Sequence, residues 1–449
     1  MQCSVSITVE LDPAAGLAGW EQTVQEAGRE AMRRLVVQAV GVYEQTQVVC
    51  PQCGSAQSRS QGTVRRRVLT CFGRVELALR RQRCLGCQRR FRPAQGCLAE
   101  LRGGQVTPEL AAACALAGAS WPYATAARVL AQLSGAQVSA EAVRLHTLRV
   151  GDHEARTQQV EAERLLQPTA EQVRAERDSQ DREHRLGRPG QSAWHVHAPA
   201  PDRLLVGLDG GWVPSCEQPG GMEGKVGVVA TGTTPVGKHG RQRLTPRRYV
   251  ATFGSSEQLG ALAAAAAMAL DGYAAPEHVV LGDGAEWIKT QADLHFPDAV
   301  GILDWAHVER AIHKAIRAAC PGPAQRARRR QLHQQVPDAL WHGDLQAALA
   351  QLHALRPAAA AESVVALEET LRYLEGQRRW LGNYAVWQEA GYPIGSGCIE
   401  RAVAVVINWR MKKRGMRWRR ANANALVALR VRELNAAWEA RHPPAPLAA

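Results

Sequence analysis

The sequence predicts a multidomain α+β chain in which small N-terminal modules precede a larger α/β domain. Three observations carry that expectation. Two CxxC pairs flank alternating segments between residues 48 and 100, two short helical patterns meet at a glycine turn within 101–152, and strands alternate with helices from residue 203 onward. A length of 449 residues allows roughly two to four folding units. No apolar run approaches the ~18 residues of a membrane span, and Met1–Glu10 lacks a basic region followed by an apolar core. The expectation is therefore a cytoplasmic protein without a membrane partner.

Residues 1–47 form the first segment. Leu17, Trp20, Val24, Ala27, Ala31, Leu35 and Ala39 recur mostly at three- and four-residue steps, which predicts a structural amphipathic helix over 13–45. Residues 48–100 come next. Cys50, Cys53, Cys84 and Cys87 bracket two alternating stretches, 64–70 and 74–80, split by Phe72-Gly73, the pattern of a β-hairpin. Two CxxC knuckles flanking a hairpin match a zinc ribbon, in which four thiolates surround one structural Zn²⁺ tetrahedrally. Redox pairs are the alternative. The odd total of eleven cysteines, without a secretory signal, speaks against a disulfide framework.

In 101–152, a helix over 123–133, a turn containing Gly135 and a second helix N-capped by Ser139 outline a helix-turn-helix. On that reading Arg144, His146 and Arg149 are candidate DNA contacts; a plain αα-hairpin has the same outline. Residues 153–202 read as a charged helical stalk turning into a Gly/Pro/His-rich linker.

The last segment, 203–449, carries the chemistry. Apolar strands are expected at 204–208, 225–231, 247–253, 278–281 and 298–303, with an alanine-rich helix at 255–272. Three antiparallel strands, then helix, strand, helix and strand is the order of an RNase H-like core. Asp209 closes the first strand and Asp283 the fourth, each followed by Gly; Glu400 opens a late helix that runs through Met411. Three carboxylates converging in this way can hold two Mg²⁺ (or Mn²⁺) ions roughly 4 Å apart for phosphodiester chemistry. Asp304 and His307 follow the fifth strand as possible supporting groups. No GxxxxGK[ST] phosphate loop is present.

The net charge of +13 is a sum of unlike parts. Windows 59–92 and 401–432 carry +10 each, leaving the rest mildly acidic. In the second window Arg410, Lys412, Lys413, Arg414, Arg417 and Arg419 interleave with Trp409, Met416 and Trp418, a composition suited to phosphates and unpaired bases.

Leu281-Gly-Asp-Gly-Ala-Glu-Trp287, Leu303-Asp-Trp-Ala-His307, Pro393-Ile-Gly-Ser-Gly-Cys-Ile-Glu400 and Met411-Lys-Lys-Arg-Gly-Met-Arg-Trp418 resemble the blocks of DDE transposases of bacterial insertion sequences, the ISKra group in particular. The resemblance covers nearly the whole chain. It implies a catalytic triad of Asp209, Asp283 and Glu400, with an α-helical insertion over about 309–390. It implies as well that the chain cleaves the ends of a mobile element and joins them to target double-stranded DNA, working as a homo-oligomer. The alternatives are a DNA-binding regulator with an inactive nuclease-like core, and a nuclease that cuts without joining.

Overall fold

The computed structural model describes residues 1–47, 49–101, 103–167, 201–236, 241–356, 361–395 and 397–436, together with residues 175 and 178. Most of the expected stalk and linker, 153–202, thus lies outside the described residues. The chain divides into two compact units, Met1–Gly151 and Asp152–Ala449. Both mix helices with strands. No described helix is long and apolar enough to cross a membrane.

The first unit opens with helix α1 (Gly16–Thr46), preceded by a 3₁₀ turn that Asp12 caps through the Ala14 amide at 2.9 Å. Strands β1 (Ser58–Thr70) and β2 (Gly73–Cys84) form an antiparallel hairpin, with Thr70 opposite Gly73 across the two-residue turn. Gly73 adopts φ +109°, which only glycine enters freely. Strict alternation on β2 turns Val75, Leu77 and Leu79 to one face, where Val36 and Val40 of α1 cover them. The α1 helix is thus the structural helix its periodicity suggests. Strand β3 (Arg90–Phe91) adds to the outer end of β2.

Helices α2 (Pro108–Ser120), α3 (Tyr123–Ser134) and α4 (Ala140–Leu166) follow. Gly135, at φ +79°, ends α3, and the Ser139 hydroxyl accepts the Ala142 amide at 3.0 Å to start α4, as the sequence implied. Gly118 of α2 faces Thr147 of α4 so closely that a Cβ would meet the hydroxyl at 2.0 Å, so glycine sets that helix approach. The α4 helix does not stop at the expected boundary near 152. It continues to Leu166, and the boundary between the units falls within it.

The second unit is built on a mixed five-stranded sheet of order β10-β9-β4-β5-β8. Its strands are β4 (Arg203–Val213), β5 (Met222–Ala230), β8 (Arg247–Thr252), β9 (Glu277–Gly282) and β10 (Val300–Leu303). The three strands β10, β9 and β4 are parallel, while β4, β5 and β8 are antiparallel. A small hairpin, β6 (Thr233–Val236) and β7 (Arg241–Leu244), interrupts the sequence between β5 and β8 and was not anticipated. Helix α5 (Ser256–Met268) begins with a Ser255/Gln258 capping box and α6 (Glu286–His295) joins β9 to β10.

From Trp305 to Glu389 the described residues carry helices and no strand: α7 (Trp305–Ala319), α8 (Arg326–Trp341), α9 (Leu345–His353), α10 (Ala361–Gly376) and α11 (Tyr384–Glu389). A final helix, α12, spans 397–411 with a π-helical segment at Ala404–Asn408, and α13 (Arg420–Leu434) follows. Leu204, Val206 and Leu208 face a core shared with α5 and the helical region 305–380, whereas Val226, Val228 and Phe253 pack against α12 and α13. Buried apolar surface on both faces of the sheet, at roughly 25 cal/mol per Å², is what holds these layers together.

Candidate active site

Strand β4 sets the geometry. Period-two alternation places Gly207, Asp209 and Gly211 on one face, and α12 lies across that face. A Cβ on Gly207 would reach Ile399 Cβ at 3.4 Å, and one on Gly211 would reach Val403 Cγ1 at 2.9 Å. Ile399 and Val403 therefore seat the helix on either side of Asp209, and Glu400 enters between them. Gly224 on β5 serves the same approach, since its Cβ would meet Ile407 Cδ1 at 2.9 Å. These glycines make room for the helix; Gly210, directly after Asp209, lies on the other face of the strand, where a Cβ would collide with the Glu223 side chain.

Asp209 itself is not a strand end. It pairs opposite Val226 while β4 runs on to Val213. The neighbour that ends is β9: the parallel register stops at Gly207 opposite Leu281, and Asp283 follows two residues later. Both acids consequently lie at the same edge of the sheet.

The helical region holds the Asp283 loop from behind. Tyr373 donates its hydroxyl to the Asp283 carbonyl at 3.4 Å, and Gln377 donates to the Gly284 carbonyl at 2.8 Å. Gly284 adopts φ +87°, and a Cβ there would collide with Gln377 at 2.7 Å. The Asp283 carboxylate accepts the Ala285 amide at 2.9 Å. Sequence reasoning missed Tyr373 and Gln377. Their four-residue spacing, Tyr373 on α10 and Gln377 just after its end, was visible, but its partner, a loop ninety residues upstream, was not.

Asp304 is fully buried after β10. Its amide donates to the Gly282 carbonyl at 2.9 Å, and its carboxylate caps α7 through the Ala306 amide at 3.2 Å and bonds His307 Nδ1. That bond raises the His307 pKa above its ordinary value, with the Asp283 charge adding to the effect. A partly exposed imidazole thus stands beside the acids, its protonated form favoured by the Asp304 carboxylate. Asp304 and His307, expected as possible supporting groups, are bonded to each other beside this edge.

Burial, and then the charges of Asp283 and Glu400, push Asp209 up to about 6, against the lowering pull of the Gly210 amide and His307. The Asp283 and Glu400 charges thus act on Asp209, which puts both acids within electrostatic reach of it. The three do not form a closed ligand set, however. Among the described residues only the four cysteines bring three or more ligand atoms within 4.8 Å of each other.

Neither a known family model nor a curated protein matches the chain.

A raised carboxylate pKa has a definite stability signature. The folded state keeps its proton at Asp209 up to about pH 6, whereas the unfolded chain releases it near 3.8, so stability falls as pH rises between those values. Without added divalent cation, Asp209→Asn is expected to melt higher than the parent at pH 8. The gain should shrink through pH 6 and vanish near pH 4. A pH-independent difference in thermal melts would show that Asp209 is not strained by its neighbours.

The four cysteines of the first unit lie in two matched knuckles. Cys50 precedes β1, Cys84 ends β2, and the fourth residue after each (Gly54, Gln88) is left-handed, at φ +69° and +60°. Sulfur–sulfur distances are 3.7 Å for Cys50–Cys87 and 3.5 Å for Cys53–Cys84. The Cys87 amide lowers the Cys84 thiol to about 6, and the Cys53 and Gln52 amides lower Cys50. Although the Arg89 amide pulls Cys87 down, burial and the adjacent sulfurs push it up to about 11. Four thiolates so close require a cation, and the set can bind a structural metal such as zinc.

The basic window at 401–432 is more divided than its sequence suggests. Arg410 is 1% exposed, stacked over Trp418 at 5.5 Å, and Trp418 is itself buried with its indole N–H on the Met411 carbonyl at 3.0 Å. Both were expected to contact DNA; both instead knit α12 to the segment after it. Arg432 is buried too, paired with Glu154 at 3.0 Å. Lys412, Lys413, Arg414, Arg417 and Arg419 are exposed, and the exposed aromatic is Trp409, lying under Arg401 at 4.6 Å. In the first unit Arg149 is exposed, while Arg144 is held by Glu141 at 2.6 Å.

Proposed function

We propose that the chain is a DDE-type transposase that cuts the ends of its mobile element and joins them to target DNA. The observation that carries this reading is the convergence of Asp209, Asp283 and Glu400 at one sheet edge, felt as a raised Asp209 pKa. The order β10-β9-β4-β5-β8, with its parallel and antiparallel halves, fits an RNase H-like core and supports the same conclusion.

The donor set suits hard cations, because three carboxylates that repel one another are relieved by ions with oxygen preference. Two Mg²⁺ or Mn²⁺ ions held there would supply charge to both oxygens of an in-line phosphodiester displacement. The residues do the positioning. Asp209 is fixed by its strand pairing, Asp283 by the Tyr373 and Gln377 bonds to its loop, and Glu400 by the seating of Ile399 and Val403. His307, whose protonated form Asp304 favours, can supply a positive group at the rim. Zn²⁺ on Cys50, Cys53, Cys84 and Cys87 is structural in this reading, as a zinc ribbon, with α3 and α4 as a helix-turn-helix beside it in sequence.

A duplex carrying the DNA that flanks the coding sequence tests the proposal. With Mg²⁺ present, a nick exposing a 3′-OH and a joined target product are expected. Binding without cutting would favour the regulator, and cutting without joining the simple nuclease.

The exposed strip after α12 is proposed to grip the substrate backbone. Each phosphate contact contributes about 0.9 to the slope of log K against log salt. Replacing Lys412, Lys413 and Arg414 by Ala is expected to lower that slope by up to ~2.7. An unchanged slope would return the strip to ordinary solvated surface.

A further inference from the structure

The first unit contains a cavity of about 640 Å³ at the open end of its hairpin. Four arginines line it: Arg66, Arg81, Arg90 and Arg92. Their convergence follows from register. Arg66 stands opposite Leu77 and Arg81 lies two residues past Leu79, so both belong to the face that α1 covers further along. Gln61 and Gly62 lie in the β-bulge between Ser60 and Thr63, and Arg81 passes within 3.9 Å of the Cβ position of Gly62. Arg90 and Arg92 arrive from β3 and the turn after it.

Among the described residues none of these four guanidinium groups makes an ion pair. Arg66 is held by the Gly104 carbonyl at 2.7 Å, which leaves its charge uncompensated. The opposite face of the same hairpin differs: there Glu76 lies 3.1 Å from Arg65 and 3.7 Å from Arg67. One acid thus stands among the arginines on the outside, and none lines the recess. Behind the charges sit Phe91, Ala94 and Leu98, an apolar floor. Guanidinium forks suit phosphate oxygens. An apolar floor beside them suits the face of an unpaired base. The recess is within the ~300–1,000 Å³ range of sites that enclose a small ligand, too narrow for a duplex.

We infer that this recess binds single-stranded DNA, its phosphates on Arg66, Arg81, Arg90 and Arg92 and a base against Leu98. The site uses none of the acids, and so stands or falls separately from the strand-transfer reading. A recess of this kind gives the first unit a way to hold a strand that has been unpaired or cut.

Fluorescence anisotropy of the full chain tests it, with a labelled 12-nucleotide strand and the matching duplex, without Mg²⁺. The Arg81→Ala/Arg92→Ala variant is expected to lose about tenfold or more in single-strand affinity. Its salt slope should fall by ~1.4, from about 0.7 per lost contact on single strands, while duplex affinity stays within twofold. Unaltered single-strand binding overturns the inference, and so does an equal loss for duplex, which would mark a general basic surface. Arg92→Glu alone, at an exposed residue, supplies the same readout if the double variant fails to fold. Asp283→Asn should bind the strand like the parent, which separates failure here from failure of the catalytic proposal.

Discussion

Asp283→Asn, and separately Glu400→Gln, are expected to reduce Mg²⁺-dependent strand cleavage by roughly 10³-fold or more while leaving duplex DNA affinity within about twofold. Removing a single charge-stabilising group from a preorganised centre already costs about 10²–10³ in rate, and an ion that loses one of three carboxylate ligands is also held less tightly. The substitutions are close to isosteric. In Asp283→Asn the side-chain oxygen can still accept the Ala285 amide, and the Tyr373 and Gln377 bonds reach backbone carbonyls that the change does not touch. Glu400 is exposed in the first turn of α12, where its neighbours Ile399 and Val403 do the packing. Fold loss is therefore not the route to inactivity. Losing the Asp283 charge also removes one of the influences that raise Asp209, so the Asp209 titration should move down in the same variant. Gel-resolved cleavage of the flanking DNA, with affinity measured in parallel, checks both parts. Parental cleavage by either variant would remove that acid from the centre.

Much of this centre was legible because its chemistry is carried by short local patterns. The apolar runs at 278–281 and 298–303 are strands of the sheet, and Asp283 and Asp304 follow them directly. The CxxC spacing announced the cysteine cluster, since two sulfurs three residues apart can reach one ion only through a tight knuckle. What escaped depends on partners distant in sequence. Asp209-Gly-Gly reads locally as a turn, because glycine pairs usually punctuate chains. Here β5 pairs straight through them, and Gly211 leaves room for α12, which arrives some 190 residues later. Arg410 and Trp418 sit in a run of basic residues that any local measure assigns to solvent. Their burial follows from Trp418 pairing its backbone with Pro214, at 3.0 Å, on the far side of the domain's sequence. The charged stretch 153–166 is helical, as expected of a stalk, but it is not all solvated: Gln158 reaches the Ala428 carbonyl at 3.1 Å and Glu154 pairs with Arg432. Tertiary contacts overrode composition in each case.

Replacing Cys50 and Cys84 together by Ser is expected to abolish zinc binding, from one ion per chain to none by elemental analysis, and to unravel one end of the first unit. The packing explains why the damage has a boundary. Around the knuckles the buried apolar cluster among the described residues consists of Cys50, Cys84 and Phe91, so beyond strand pairing little would hold that end without a metal. Further along, Val68, Val75, Leu77 and Leu79 pack on Val36 and Val40 of α1, a core independent of the sulfurs. Structural zinc sites contribute about 10–16 kcal/mol in small peptides, comparable to the ~5–15 kcal/mol that stabilises whole domains. A region whose own core is this thin cannot remain ordered after such a loss. Limited proteolysis should therefore open new cuts near 50–57 and 85–92 and spare the α1-covered stretch of the hairpin. Cys97→Ser serves as the control, since Cys97 lies outside the four-sulfur cluster and its thiol bonds the Ala94 carbonyl at 3.3 Å. It should keep its zinc and its digestion pattern. Should the Cys50/Cys84 variant hold zinc as the parent does, the four-thiolate site is wrong, whatever becomes of the acids in the second unit.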